Sequence, residues 1–165
     1  MTITDIQTLF EYNFWAKERL LQSLDAMKEE NLYKDMKSSF PSIFATLLHI
    51  VSAENIWRQR FSGAESAKPL TKDDTPAYTA LKAKWNQTEE ALTAFVTRLS
   101  EKQLLDVLTF KNMKGEAVSQ FLWQALQHLV NHESYHRGQI TTMIRQLGGT
   151  PVNTDLIGFY RLKNK

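Results

Sequence analysis

The chain carries four histidines, all within two segments whose apolar residues recur at spacings of three and four. His49 lies in SIFATLLHIVSAENIWRQRF, and His128, His132 and His136 lie in LQHLVNHESYHRGQITTMIRQL. Residues four apart on a helix share a face, with Cβ atoms about 5–6 Å apart, so imidazoles at that spacing can close on one divalent ion. His136 falls within the apolar stripe of its segment and His132 on the flank, so both are expected to turn inward. A buried polar group without a partner costs about 1–3 kcal/mol, and a shared metal would satisfy both rings. The spacing alone also arises by chance. His49, a lone histidine in an apolar helix and oblique to its main stripe, reads by default as a satisfied core histidine. His128 sits further round, toward the exposed side, and is read as a non-ligand. The 165 residues include no cysteine. Disulfides, thiolate metal sites and cysteine nucleophiles are therefore excluded, leaving imidazole and carboxylate as metal ligands.

Two carboxylates stand near these histidines, Glu54 and Glu133, both on the main stripes of their segments. Either could orient an imidazole or act as a general base, and Glu133 could also ligate. An interhelical hydrogen bond is the plainer use of such groups and is the reading preferred for both. Tyr135, Arg137 and Gln139 lie one to three positions from the histidine pair, and Gly138 is expected to allow close helix approach. No catalytic residue is assigned.

The elements that must position these groups are helical. Residues 4–27 place Ile6, Leu9, Phe10, Leu20, Leu21, Leu24 and Met27 on one stripe. Asn13 and Lys17 fall on the same stripe. Their expected uses are a hydrogen bond between helices and a lysine stem snorkelling to solvent, the alternative being a polar-lined cavity. Residues 28–40 are irregular. A second helix follows Pro41, which suits a first turn, and ends near Gly63. Its apolar residues cover so much of its girth that it must pack on more than one neighbour. After a loop over 62–74, Thr75-Pro76 reads as the cap and first residue of a third helix, with Tyr78, Leu81, Trp85, Leu92, Phe95 and Leu99 on its core face. A loop of that length permits a crossover rather than a tight hairpin. Alternation around Lys114-Gly115 suggests a short β-hairpin or extended turn, with any strand confined to Thr109–Ser119. The fourth helix spans about 119–147 and stops at Gly148-Gly149, and the tail TDLIGFYRLKNK adds a short capping helix. The fold expected is all-α, a single domain over 1–165 built as a four-helix bundle of up-and-down type.

Composition narrows the function. Apolar residues make up 42% of the chain and charged residues 23%, which excludes disordered and fibrous classes. Twenty basic against 18 acidic residues, interspersed, leave no basic face for nucleic acid. The basic residues Arg161, Lys163 and Lys165 read as a solvated tail. No apolar run is long enough for a membrane span, and the N-terminal MTITDIQTLF lacks the features of a secretory signal. A cytoplasmic protein without nucleic-acid or membrane partners is expected.

The stretch LQHLVNHESYHRGQITTMIRQLGGTPVNTDLIGFYR resembles the hallmark of the DinB-like superfamily (DinB/YfiT type). HRGQ preceded by His132, a histidine in HIVSAE and the tail TPVNTDLIGFYR carry the similarity, and YNFWAKERLL looks like the family's first helix. The resemblance implies a four-helix bundle with a long crossover between the second and third helices. It also implies a divalent metal, zinc or nickel, held by His49, His132 and His136. It further implies a homodimer and a small-molecule substrate. Relatives of this type include enzymes that use a low-molecular-weight thiol cosubstrate, so a metal-dependent thiol S-transferase or a hydrolase is expected. A non-catalytic stress-response or binding protein with a structural metal is the alternative.

Overall fold

Thr2 starts the first helix: its hydroxyl accepts the Asp5 amide while the Asp5 carboxylate accepts the Thr2 amide, satisfying two end groups reciprocally. In the computed structural model, which describes residues 1–164, α1 runs Ile3–Asp25 and a single turn, α2, spans Glu29–Leu32. Ser42 caps α3, Ile43–Phe61, by accepting the Ala45 amide. Pro41 therefore lies before the cap and not in the first turn. The third long helix, α4, spans Tyr78–Thr97 and begins later than Thr75-Pro76 suggests. Ala77 is its cap and offers no side-chain acceptor, and the Tyr78 amide is met by the Tyr33 hydroxyl instead.

A 3-10 turn, Lys102–Leu105, leads into β1, Val107–Lys111, paired antiparallel with β2, Ala117–Phe121. The ladder runs from Val107↔Phe121 to Lys111↔Ala117, beyond the Thr109–Ser119 limit expected, because Leu108 and Gln120 pair as well. Phe110 is the residue that buries the hairpin in the core. The last long helix, α5, is Leu122–Gln146, and Gly148 ends it with φ 77°, a left-handed turn in which the Gly149 amide reaches the Ile144 carbonyl at 2.9 Å. The expected capping helix is α6, Leu156–Lys163, whose Phe159 packs on Tyr12 and Trp15.

The four long helices do not alternate strictly up and down. Asp25, at the end of α1, meets Tyr78 and Lys82 at the start of α4, so those two helices are antiparallel. The start of α3 (Ile43, Leu47) shares a cluster with the start of α4 (Tyr78, Leu81) and the end of α5 (Ile140, Ile144). Helices α3 and α4 are therefore parallel, and the segment between them must return the length of the bundle. Sequence-adjacent helices α1 and α3 lie across a diagonal, each packing on α4 and α5. The long crossover is present.

The core is divided by a polar layer. One apolar cluster holds Ile6, Phe10, Leu92, Val96, Leu126 and Leu129, and the other holds Leu20, Leu24, Ile50, Leu81, Trp85 and Ile140. Between them each helix contributes buried polar groups: Asn13 and Lys17 from α1, Glu54 from α3, Thr88 from α4, Glu133 and Arg137 from α5. Asn13 donates to Glu133 at 2.8 Å and accepts from Arg137 at 2.6 Å. Arg137 donates further to Ser134 at 2.8 Å and lies 3.5 Å from the Glu133 carboxylate. Lys17 does not snorkel. It is 2% exposed and pairs with Glu89 while donating to Asn86 at 2.9 Å, because α4 supplies a carboxylate within reach of its stem.

Glu54 is fully buried, and neither of its oxygens has a hydrogen-bond partner of ordinary geometry. Burial first, and then the charge of Glu133 beside it, push Glu54 well above the usual carboxylate range. Burial raises Glu133 too, but the Arg137 charge and the Asn13 hydrogen bond oppose that rise, so the proton is assigned to Glu54 and the charge to Glu133. Two substitutions separate these roles. Glu54→Gln, a neutral isostere of a neutral acid, should leave the urea midpoint nearly unchanged. Glu133→Gln strips the buried guanidinium of its counter-charge and should destabilise by about 3 kcal/mol. Equal losses in the two variants would contradict the assignment.

Candidate metal centre

Because α3 and α5 run antiparallel, His49 in the second turn of one comes opposite His132 and His136 on the other. The Nε2 atoms of His49 and His132 are 3.0 Å apart, and one ring nitrogen from each of the three residues lies within 4.8 Å of the others. Ring centroids are separated by 5.0, 4.6 and 4.5 Å for the pairs 49–132, 49–136 and 132–136. All three histidines singled out from the sequence are thus brought together. His128 is not part of the group. It is exposed, its ring lies 5.8 Å from that of His132, and it leans on Trp57.

Two of the donors are biased toward the neutral form that a metal needs. Burial, followed by the charges of His136, His49 and His128, holds His132 down to about 4, and burial with the His136 charge lowers His49. The Nδ1 atom of His136 lies 2.8 Å from Gln139 Oε1, an acceptor, so that nitrogen carries the hydrogen and Nε2 is left free. Three imidazoles converging from two helices, with no carboxylate or thiolate in the group, fit a borderline divalent ion with coordination positions left open. The buried Nδ1 of His132 has no partner, so the orienting hydrogen bond common behind metal-binding imidazoles is present at His136 and lacking here.

Neither glutamate serves the histidines directly. Glu133 accepts from Asn13 across the α1–α5 interface, the interhelical use preferred from the sequence, and Glu54 faces Glu133. Two further residues close the site, one named from its place beside the histidine pair and one that no sequence pattern marked. Gln139, one turn beyond His136, is its orienting acceptor, a role legible in hindsight from the spacing of three. Phe40, in the irregular segment before α3, stacks on His49 with centroids 4.3 Å apart and meets His136 edge-on at 5.6 Å. Tyr135, 66% exposed, stands against the outer side of His136. Gly138 does not mediate helix contact: it is exposed, and a Cβ there would meet nothing within 4 Å.

Two measurements follow from this geometry. Elemental analysis of untagged protein should find stoichiometric divalent metal, lost in His132→Ala and His136→Ala and retained in His128→Ala. Retention in the first two, or loss in the third, would refute the ligand set. The metal-free protein should also report the depressed His132. Between the unperturbed value near about 6.5 and its folded value of about 4, the unfolded chain binds a proton that the folded chain does not. Stability therefore falls as pH drops through that window. The drop in urea midpoint from about pH 7 to about pH 5 should be smaller in His132→Asn than in the parent. An identical drop would show that His132 is not held neutral.

The sequence profile of the DinB family matches residues 1–164. Protein DinB of Bacillus subtilis (strain 168) is 31% identical, the match covering 95% of this chain and 94% of the relative. The uncharacterised protein YizA of the same organism is 27% identical, over 90% of this chain and 92% of its own. Among solved structures, a DinB-like protein from Bacillus cereus ATCC 10987 superposes with a TM-score of 0.62 at 23% identity, covering 88% of this chain and 94% of the other. YfiT from Bacillus subtilis, described as a probable metal-dependent hydrolase with an unusual four-helix bundle topology, superposes at 0.63 and 20% identity, covering 87% of this chain and 85% of YfiT. With a profile match over nearly every residue and a bundle of the same shape, the chain belongs to the DinB family.

Proposed function

We propose that the protein is a metal-dependent enzyme acting on a small electrophile, with thiol S-transfer as its reaction. The observation that carries this reading is the convergence of three imidazoles at the side of the bundle, with one flank closed by Phe40 and the other reaching solvent beside Tyr135. A structural site would more often be closed by a fourth protein ligand, and the described residues supply none. A divalent ion in such a site lowers the pKa of a thiol or water, so that a nucleophile is available at neutral pH.

The chain's own residues perform the rest. Gln139 fixes the tautomer of His136, burial keeps His132 neutral, and Phe40 excludes water from one side of His49. With no cysteine in the sequence, a thiol nucleophile has to come from a low-molecular-weight cosubstrate. Hydrolysis is the second reading, and the structural likeness to YfiT, described as a probable metal-dependent hydrolase, is what favours it. The wider proposal is a cytoplasmic homodimer that works on small molecules and binds no nucleic acid. No described helix is long and apolar enough to cross a membrane.

A screen of zinc- and nickel-loaded protein against small electrophiles, with and without thiols, tests the reaction. Turnover that requires both metal and thiol supports S-transfer, and turnover with metal alone shifts the assignment to hydrolysis. Full metal occupancy without turnover of any substrate would favour a binding protein with a structural metal.

A further inference from the structure

One turn before His132 on α5, the bundle opens into a groove of about 830 Å³ between that helix, the hairpin and the end of α3. Trp57, Phe110 and Trp123 give it aromatic walls, and Gln124, Gln127 and Asn131 line it with amides. No aspartate or glutamate lines it. Its one fully charged side chain is Arg60, which is only 8% exposed.

Arg60 is held in an unusual state. Its guanidinium lies 4.0 Å from the centre of the Phe110 ring and 4.7 Å from that of Trp57. Its one side-chain hydrogen bond among the described residues is long, 3.4 Å, to the Lys111 carbonyl, and its Nε is buried without a partner. Among the described residues no carboxylate lies within ion-pair distance, whereas the more deeply buried Arg137 has Glu133. A buried cation usually has a counter-charge, because desolvation is otherwise uncompensated. Aromatic faces offset part of that cost, but they leave the planar fork of donors free for bidentate recognition of an anion.

We propose that this groove binds a small carboxylate-bearing molecule, with Arg60 gripping the carboxylate and the amides of α5 holding a polar body. The opposite end of such a molecule then points past His128 toward His132, one helical turn away. On the functional reading above, from which the second half of this inference follows, the occupant is the thiol cosubstrate, anchored by its acid group so that its sulfur faces the histidine cluster.

Metal-free protein allows carboxylate recognition to be tested apart from the metal. Heteronuclear NMR titrations can follow the indole N–H groups of Trp57 and Trp123 against three probes. These are N-acetyl-L-cysteine, N-acetyl-L-alanine, which lacks the thiol, and N-acetylcysteamine, which lacks the carboxylate. The two acids should shift these indoles with similar affinities, and N-acetylcysteamine should bind at least about tenfold more weakly, the loss expected for a charge-assisted pair. Arg60→Met should remove the selectivity. Because that side chain is buried and its loss could impair folding, the exposed rim residue Gln127 supplies a second variant. Gln127→Glu places a repelling charge beside the site and should weaken both acids about tenfold or more while sparing N-acetylcysteamine. Equal binding of all three probes, no response of either indole, or insensitivity to Gln127→Glu would overturn the proposal. Protein that carries metal and fails this test loses only the anion site. Protein that passes it and carries no metal retains the anion site and loses the functional reading.

Discussion

A guanidinium at the centre of a helical bundle has to be enclosed by acceptors before the apolar residues around it can close. Arg137 is 1% exposed and meets Asn13 and Tyr12 of α1, together with Glu133 and Ser134 of its own helix. This arrangement admits one rotation and one depth of α5 against α1. A slip of three residues, about one turn, would bring Val130 or Ile140 into the polar layer and leave a cation in hydrocarbon. The apolar clusters on either side supply most of the burial, but they would tolerate more than one register. The polar layer does not.

The histidines depend on that constraint although they take no part in it. Glu133 and Arg137 each directly follow a histidine of the cluster, so fixing them toward α1 turns His132 and His136 toward α3. One helix face is thereby divided: carboxylate and guanidinium point into the bundle, and the imidazoles point to its flank. Glu54 does a similar service on α3, where it occupies the interior while His49, five residues earlier, looks outward between the helices. Glu54, protonated, and Glu133, charged, thus face each other in the interior where α3 packs on α5.

Much of this was legible in the residues. The stripes of α1, α3 and α5 gave the helices, Gly148-Gly149 marked the end of α5, and the imidazole spacing named the pair on that helix. His49 was not fixed by periodicity, because its direction is oblique to its stripe. The resemblance to a family was needed to join it to the others. Helix direction was likewise not fixed by periodicity, since a loop over residues 62–74 is compatible with either sense of the helix that follows, and it was the resemblance that implied the crossover. Lys17 was misjudged because a helical wheel shows which face a lysine occupies and not whether a neighbouring helix offers it Glu89. Phe40 carried no signal at all: it belongs to a segment without periodicity and is placed by the rings it covers.

The separation in sequence between the groups of the polar layer has a consequence for how the chain folds. Asn13 and Glu133 are 120 positions apart, and the Nε2 atoms of His49 and His132 are brought together across 83. Helices α1 and α3, the first two long helices made, lie across a diagonal, and their shared neighbours are α4 and α5. An emerging chain therefore holds Asn13, Lys17 and Glu54 in helices that have no complete partner surface until the last third of the sequence is available. Loop-closure entropy of this kind slows folding relative to bundles of adjacent hairpins. It also means that the nascent N-terminal half exposes apolar stripes for as long as α5 is unmade.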